Sequence, residues 1–402
     1  MQPSTLCGVF CLAATLSAQG PPAEPQAQSH GIDWKDLTST GIPIRFYGFL
    51  RLDVDYDTAR MNSVSLPFTV DPENGVNAKQ DDNEFTMDPR LTRFGMDVRP
   101  GEVGGMKVNG KLEIDFQNFV AGVPESRATP RMRLAWIDLM GDEFGLRVGQ
   151  DWDVIAPLYP AAENESLLWN SGNIGDRRAQ IQGRWVPEGS AFDVKASLGL
   201  TGAVSNEDLD TPPSNQDGFD SGMPQVQVRV GMKTDLLVEK QPASIGAWGA
   251  IGRTETDTAF GGQHRFDIWV AGIDAEVPLC ETCRVRGEGW TGENLADFRG
   301  GVGQSINTAT GREIGATGGW AAFVYHPSDK TELHVGYGTD DPDNADVPAG
   351  KPTRNLAGWV GTIVDWPCGL RTGFDTTYWE TDWKGLGLGN TIRFNLYFQY
   401  NF

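Results

Sequence analysis

The amino-acid sequence predicts an all-β fold, a single transmembrane antiparallel β-barrel of about sixteen strands with short turns at one end and long loops at the other. Two observations predict this fold. Apolar and polar residues alternate with a period of two along many short segments, and the connections between these segments are long and short in turn. Because a strand places alternate side chains on opposite faces, each segment would have one apolar and one polar face.

In the C-terminal segment, residues 390–402, the last eleven residues show this alternation without exception. Its apolar set is Ile392, Phe394, Leu396, Phe398, Tyr400 and Phe402, and its other set is Arg393, Asn395, Tyr397, Gln399 and Asn401. An exposed strand this apolar would invite aggregation in water. We expect it to close the barrel against the first strand, with its apolar face in lipid, because a closed sheet pairs every backbone polar group. A C-terminal phenylalanine on such a strand also resembles the assembly signal of bacterial outer-membrane proteins.

The same pattern recurs along the chain from residue 43 onward. Each segment is close to the roughly ten residues that a tilted membrane strand needs. The predicted strands are 43–56, 91–99, 106–117, 131–140, 144–151, 178–186, 191–201, 224–235, 244–253, 265–277, 283–291, 316–326, 331–339, 354–366, 369–381 and the terminal segment. The segment 131–140, RMRLAWIDLM, does not alternate cleanly.

The connections carry the second signal. The short ones, such as PGEVGG, GDE and WPCG, are Pro/Gly/Asp turns of the hairpin type. The long ones are predicted at 57–90, 118–130, 152–177, 202–223, 254–264, 292–315, 340–353 and 382–389. A β-sandwich does not usually sort its connections so regularly, whereas an outer-membrane barrel has tight periplasmic turns and extended outer loops.

The N-terminus predicts export. Residues 1–18 contain an apolar stretch from Leu6 to Leu16 followed by small residues, which is typical of a signal peptide. Residues 19–42 are expected to form a flexible leader, and 43–402 the barrel. The formal net charge of −21 argues against nucleic acid as a partner.

The cysteines indicate an oxidising compartment rather than a metal site. Cys280 and Cys283 form a lone CxxC, with no second CxxC or HxxxH to complete a zinc site. We therefore predict a local disulfide that tightens a turn, and neither a metal nor another cofactor.

The polar faces of the first half of the chain are rich in cations. The candidate lining residues on predicted strands are Arg45, Arg51, Arg93, Lys111, Arg131, Arg133, Arg147, Arg178 and Arg184. The third long connection, 152–177, has apolar residues that suit it poorly to water, so we expect it to fold inward. Its candidate acidic residues are Asp151, Asp153, Glu163 and Glu165. Such a loop facing a basic wall would create a transverse field that sorts solutes by size and charge. Alternatively, the arginines pair with neighbouring carboxylates and only stiffen the wall.

Several of these segments resemble one known family. PRMRLAWIDLMGDEFGLRVGQDWDVIAPLYP, NSGNIGDRRAQIQGRW, IRFYGFLRLDVDYD, LTRFGMDVR and KLEIDFQNF are similar to the DcaP-like porins of Gram-negative outer membranes. The positions that match the family pattern are Arg131, Arg133, Gly149, Gln150, Trp152, Gly172 and Arg178. The resemblance implies a sixteen-stranded trimeric porin that passes small, often anionic, solutes. The acidic GQDWD segment departs from the family and leaves anion or cation preference open.

The sequence thus favours a passive diffusion channel in the bacterial outer membrane. Its expected partners are small solutes or ions, outer-membrane lipid, two further copies in a homotrimer, and the barrel-assembly machinery acting on the C-terminal strand. A surface adhesin or structural barrel without an open pore is the main alternative. An enzyme is not expected, because neither GxSxG nor HExxH occurs, although His334 lies two residues from Glu332.

Overall fold

The fold is a closed antiparallel barrel, seen in a computed structural model that describes residues 44–74, 82–118, 126–162 and 166–402. One sheet of 17 strands closes on itself. Its strands β2 (Glu84–Asp88) and β3 (Arg93–Val103) pair with successive parts of β1 (Ile44–Asp57), so they form a single barrel strand and the barrel has 16. The predicted sixteen-stranded barrel is confirmed. The predicted signal peptide and leader lie outside the described residues.

The other strands follow one another around the wall, each antiparallel to the next. They are β4 (Met106–Asp115), β5 (Arg131–Met140), β6 (Phe144–Trp152), β7 (Arg177–Trp185), β8 (Phe192–Gly199), β9 (Gln225–Thr234), β10 (Ala243–Phe260), β11 (Gln263–Cys280), β12 (Cys283–Glu293), β15 (Gly315–Ser328), β16 (Thr331–Pro342), β17 (Pro352–Asp365), β18 (Leu370–Trp383) and β19 (Gly387–Asn401). Outside the wall, β13 (Ile306–Asn307) and β14 (Arg312–Glu313) form a small hairpin. The helical segments are α1 (Asp217–Asp220) and the 3-10 turns Ala296–Phe298, Gly301–Gly303 and Pro367–Gly369. None of the helices in the described part of the chain is long and apolar enough to cross a membrane.

The terminal strand closes the barrel as the sequence predicts. β19 pairs with β1 in a continuous register from Phe49 opposite Asn401 to Asp57 opposite Arg393. Arg393 is fully buried, whereas Phe398 on the other face is 47% exposed. The exposed set on this strand is the apolar one, so the outer face of the barrel requires a nonpolar surrounding.

A β-bulge explains the irregular pattern of residues 131–140. Glu113 of β4 pairs with Leu134 and the next residue, Ile114, pairs with Met132, so Arg133 has no partner in the ladder. An extra residue shifts the side-chain alternation of the strand. The guanidinium of Arg133 can then reach Glu113 on the inner face, at 2.7 Å.

The predictions of two long loops are wrong, because each segment is a tight turn between strands that extend further than predicted. The segment 254–264 continues the β10–β11 ladder to a tight turn at Gly261 and Gly262, and 382–389 is a short turn between β18 and β19. Apart from Ala259 and Phe260, the side chains of the first hairpin tip are polar on both faces, because this part stands clear of the apolar belt. An alternation of apolar and polar residues therefore could not reveal it. The first long connection also ends earlier than predicted, at β2.

The short connection between β11 and β12 contains the predicted cysteine pair. Cys280 and Cys283 are register partners across this turn and are joined by a disulfide. Cys368, in the short connection between β17 and β18, is exposed and has a free thiol.

Candidate pore constriction

The connection between β6 and β7 crosses the inside of the barrel. We call residues 153–176 the constriction loop, of which 153–162 and 166–176 are described. Its Leu158 N–H donates to the carboxylate of Glu288 on β12 at 2.7 Å. Further along, the Asn355 side chain of β17 donates to the carbonyl of Asn170 at 2.7 Å. β17 lies eight barrel strands away from β7 and seven from β6, on the opposite wall, so the loop spans the lumen.

The far wall, formed by β10 to β18, has an apolar surface on which the loop packs. We call its five inward-facing tryptophans the tryptophan arc. They are Trp248, Trp290, Trp320, Trp359 and Trp379, on β10, β12, β15, β17 and β18. Ile155 and Ile174 of the loop pack in one cluster with Trp248 and Trp290. Leu158 and Leu168 pack in a second cluster with the other three tryptophans. This burial explains why the loop is apolar, since it removes both surfaces from water.

Glycine makes the close approach between loop and wall possible. Gly172 has φ +106°, and a Cβ there would collide with the carbonyl oxygen of Gly319. The Trp290 indole N–H donates to the carbonyl of Gly172 at 2.8 Å. The family resemblance marked Gly172, and its backbone conformation and contacts provide a physical reason for glycine at this position.

A buried ion cluster fixes the root of the loop. Arg178, at the start of β7, donates to Asp153 at 2.5 Å and to Asp297 at 2.7 Å. We call these three residues the root ion cluster. The Arg178 side chain has no solvent exposure and that of Asp153 has 1%. The expectation that Arg178 and Asp153 line the water-filled surface is therefore wrong. They anchor the loop, because a buried charge is stable only when it is paired and hydrogen-bonded.

The near wall is formed by β1 to β8. Its predicted cations pair with carboxylates on the same wall. The pairs are Arg51 with Asp53, Arg93 with Glu113, Lys111 with Asp97, Arg131 with Asp115, Arg133 with Glu113 and Asp115, and Arg147 with Asp138 and Asp151. This is the arrangement that the alternative hypothesis describes. Of these cations, Arg131 and Arg147 keep the most exposed side chains, at 26% and 28%.

The remaining predicted residues divide into three groups. Arg45 is half-buried on β1, opposite Asp97 in register. Arg184 is exposed near the short-turn end of β7. Glu163 and Glu165, expected on the loop itself, lie outside the described residues.

A group of aromatic rings and guanidinium groups where β6 meets the constriction loop was not identified from the sequence. The rings of Trp152 and Tyr159 lie 4.7 Å apart between centroids. The guanidinium of Arg177 lies 4.5 Å from the centre of the Trp152 ring, and that of Arg133 lies 5.8 Å from it. The motif DRR contains two adjacent arginines, Arg177 and Arg178. Only the fold shows that Arg178 is buried in the root ion cluster, whereas Arg177 lies beside the Trp152 ring.

His334 and Glu332, the residues considered above for catalysis, lie in the barrel wall. His334 on β16 is buried, and its Nε2 lies 2.8 Å from the carboxylate of Asp375 on β18. Its Nδ1 lies 3.3 Å from Glu332. Only the Nε2 contact is a hydrogen bond, and the two carboxylates flank the imidazole on both sides and hold it in place.

The connection 200–224 packs on the root ion cluster. The carboxylate of Asp297 accepts the N–H groups of Gly202 at 3.0 Å and Val204 at 2.9 Å. Further along this connection, Glu207 accepts a hydrogen bond from Ser305. Burial and the neighbouring carboxylates raise the pKa of Asp217 to about 7, and burial also raises the pKa of Glu207.

These shifts make the packing of this connection depend on pH. The pKa of Asp217 in the folded loop lies above its ordinary value of 3.8, so the folded loop binds the proton more tightly than an open loop does. The packed state is favoured most below pH 4 and loses stability as the pH rises through 7. We expect roughly tenfold stronger hydrogen-exchange protection of the Leu209 amide at pH 5 than at pH 8, after correction for intrinsic exchange. Asp217→Asn should remove most of that difference. Equal pH dependence in the variant would contradict this assignment.

Comparison with solved structures places the fold among outer-membrane channels. The outer membrane channel DcaP of Acinetobacter baumannii matches with a TM-score of 0.73 at 14% identity, covering 91% of this chain and 99% of that one. OmpF of Salmonella typhi matches with a TM-score of 0.58 at 10% identity over 91% of this chain and 99% of that one. OmpT of Vibrio cholerae, in a trimer form, matches with a TM-score of 0.56 at 14% identity over 90% and 99%.

These similarities concern the fold. No protein-family model matches the sequence, and no curated protein matches it either. At such low identities the solved structures confirm the porin-type barrel that the sequence resemblance implied, and leave transport properties to be argued from the residues.

Proposed function

We propose that this chain is an outer-membrane porin of the DcaP-like family, a passive diffusion channel for small hydrophilic solutes. The observation that carries the proposal is the constriction loop, which crosses a closed barrel with a charged near wall. The exposed apolar outer face supports a membrane location, and the fold of the solved neighbours supports the outer membrane of a Gram-negative bacterium.

The geometry supports a channel that is off-centre in the barrel. The loop fills the space over the tryptophan arc, so solutes pass between the loop and the near wall. Water is tolerated there because the wall is polar, and a barrel of about sixteen strands has room for an aqueous path. The loop limits the size of the solute, and the paired arginines and carboxylates across from it provide a strong local field.

The expected partners follow from the surfaces of the barrel. Lipid contacts the apolar belt, and solutes or ions contact the near wall. The trimer form of a solved neighbour supports a homotrimer for this chain. The alternating C-terminal strand is the segment that we propose the barrel-assembly machinery recognises. Neither catalysis nor a cofactor is part of the proposal.

Liposome swelling tests the proposal. Proteoliposomes with the purified protein should swell in isotonic solutions of small sugars and dicarboxylates, and swelling should slow as the solute grows. Liposomes prepared in the same way without protein are the control. Protein that inserts with native heat-modifiability and yet gives no swelling would overturn the proposal and favour a closed structural or adhesive barrel.

A further inference from the structure

We infer that the ion preference of the channel is set by Arg184 and Lys195, two inward-facing cations near its short-turn end, and that this pair favours the passage of anions over cations. The inference rests on the proposed channel function and goes beyond it. It moves the selecting charges away from the arginines across from the constriction loop.

The register places the two residues side by side on the inner face. Arg184 on β7 pairs with Lys195 on β8, and Lys195 pairs in turn with Arg229 on β9. The neighbours of Arg184 in the opposite orientation, Ile181 and Trp185, are exposed on the apolar outer face. Three cations therefore stand on three consecutive strands facing the lumen.

Of these three cations, only Arg229 forms an ion pair with a described carboxylate, and Asp193, on the same face of β8 as Lys195, attracts Lys195 from beyond ion-pair distance. Arg229 donates two hydrogen bonds of 2.8 Å to the carboxylate of Asp274, and Asp193 lies 3.7 Å from it. Within the described ranges of the chain, no carboxylate oxygen lies within ion-pair distance of Arg184 or Lys195. Arg184 is exposed and Lys195 is half-buried, so a passing solute can approach both.

The cations beside the constriction loop are in a different state. The carboxylate of Asp115 accepts two hydrogen bonds from Arg131, at 2.9 and 2.8 Å, and one from Arg133 at 2.9 Å. A tightly paired charge acts on a distant ion as a dipole, and its field falls off faster than that of an unpaired charge. The unpaired pair at the short-turn end thus contributes more to the potential along the path.

The repulsion between Arg184 and Lys195 lowers the stability of the sheet, and this suggests that the two residues attract anions. Like charges directly opposite one another on adjacent strands destabilise a sheet. Arg184 and Lys195 occupy such a position, and a mobile anion would relieve their repulsion. The class of solute they favour is a small anion such as chloride, phosphate or a carboxylate.

Reversal potentials in planar bilayers under a tenfold potassium chloride gradient test the inference. We expect Arg184→Gln with Lys195→Gln to lower the chloride-to-potassium permeability ratio by roughly threefold. The charge-preserving exchange Arg184→Lys with Lys195→Arg should keep the wild-type ratio. Lys240→Gln, in an exposed turn outside the lumen, is the matched loss of a cation and should also leave the ratio unchanged.

A second variant tests the contribution of Arg131 and Arg133 without changing the net charge of the channel. The variant Arg131→Gln, Arg133→Gln, Glu113→Gln, Asp115→Asn removes two cations together with two carboxylates, and we expect little change in its permeability ratio. A conducting Arg184→Gln, Lys195→Gln channel with the wild-type ratio would overturn the inference, as would a larger shift in the fourfold variant. Loss of all conductance in the wild-type protein would instead overturn the proposed function. Lys195→Met alone, with a smaller shift in the same direction, serves if the double variant fails to insert.

Discussion

Replacing Arg178 with alanine should lower the free energy of unfolding by about 3–5 kcal/mol, because it leaves two buried carboxylates without their cation. Asp153 would retain Gln227, which donates at 2.6 Å, and Asp297 would retain backbone donors. Neutral hydrogen bonds do not replace the lost charge. Urea or guanidinium titration in lipid vesicles, followed by tryptophan fluorescence, measures the change. The open channel should also become noisier, since the root of the constriction loop is no longer fixed.

A surface ion pair provides the matched control for this prediction. Arg265 pairs with Glu255 at 3.0 Å, and its side chain is 66% exposed. Arg265→Ala should change the free energy of unfolding by less than about 1 kcal/mol. If Arg178→Ala were as mild as this control, the root ion cluster would not be the anchor of the loop.

Shortening the constriction loop should give the largest change in transport. Replacing residues 157–168 with Gly-Ser-Gly removes Leu158, Tyr159 and Leu168, while the root ion cluster stays intact. We expect roughly a two- to threefold rise in single-channel conductance, because the loop fills much of the cross-section of the lumen. Exposure of the tryptophan arc should lower stability at the same time.

The control for the shortened loop is a connection that lies outside the lumen. Residues 343–345, in the connection between β16 and β17, are exposed, and trimming them should leave conductance near the wild-type value. A milder variant, Leu158→Ser with Leu168→Ser, weakens the packing of the loop on the tryptophan arc without a deletion. Its single-channel conductance should vary more from one opening to the next. Unchanged conductance in the shortened channel would mean that the loop does not limit the path.

The wall of the barrel could be predicted from sequence because lipid imposes a simple rule. Every outward side chain of β19 from Ile392 to Tyr400 is apolar, so a period-two pattern was sufficient to identify both its faces. The rule ceases to apply where the strands leave the apolar belt. The hairpin tip at 254–264 is mostly polar on both sides, and its ladder was visible only in three dimensions. The bulge at Arg133 likewise depends on how β4 and β5 align.

The candidate site was predicted less completely because its partners are distant in sequence. Arg178 and Arg184 share one face of β7, and the sequence gives no reason to treat them differently. Asp297 lies 119 residues from Arg178 and buries it, whereas no described carboxylate pairs with Arg184. The tryptophan arc was likewise visible only as an abundance of tryptophan, since its alignment under the loop requires the closed barrel.

The most direct test of an off-centre path is thiol modification during single-channel recording. In a Cys368→Ser background, cysteine is introduced at Gln182, half-buried on the inner face of β7, or at Ala322, buried beneath the constriction loop on β15. A bulky charged thiol reagent should reduce the current of the Gln182→Cys channel within seconds and leave the Ala322→Cys channel unaffected. Equal block at the two positions would place the aqueous path on both sides of the loop, and block at Ala322 alone would place it on the wrong one.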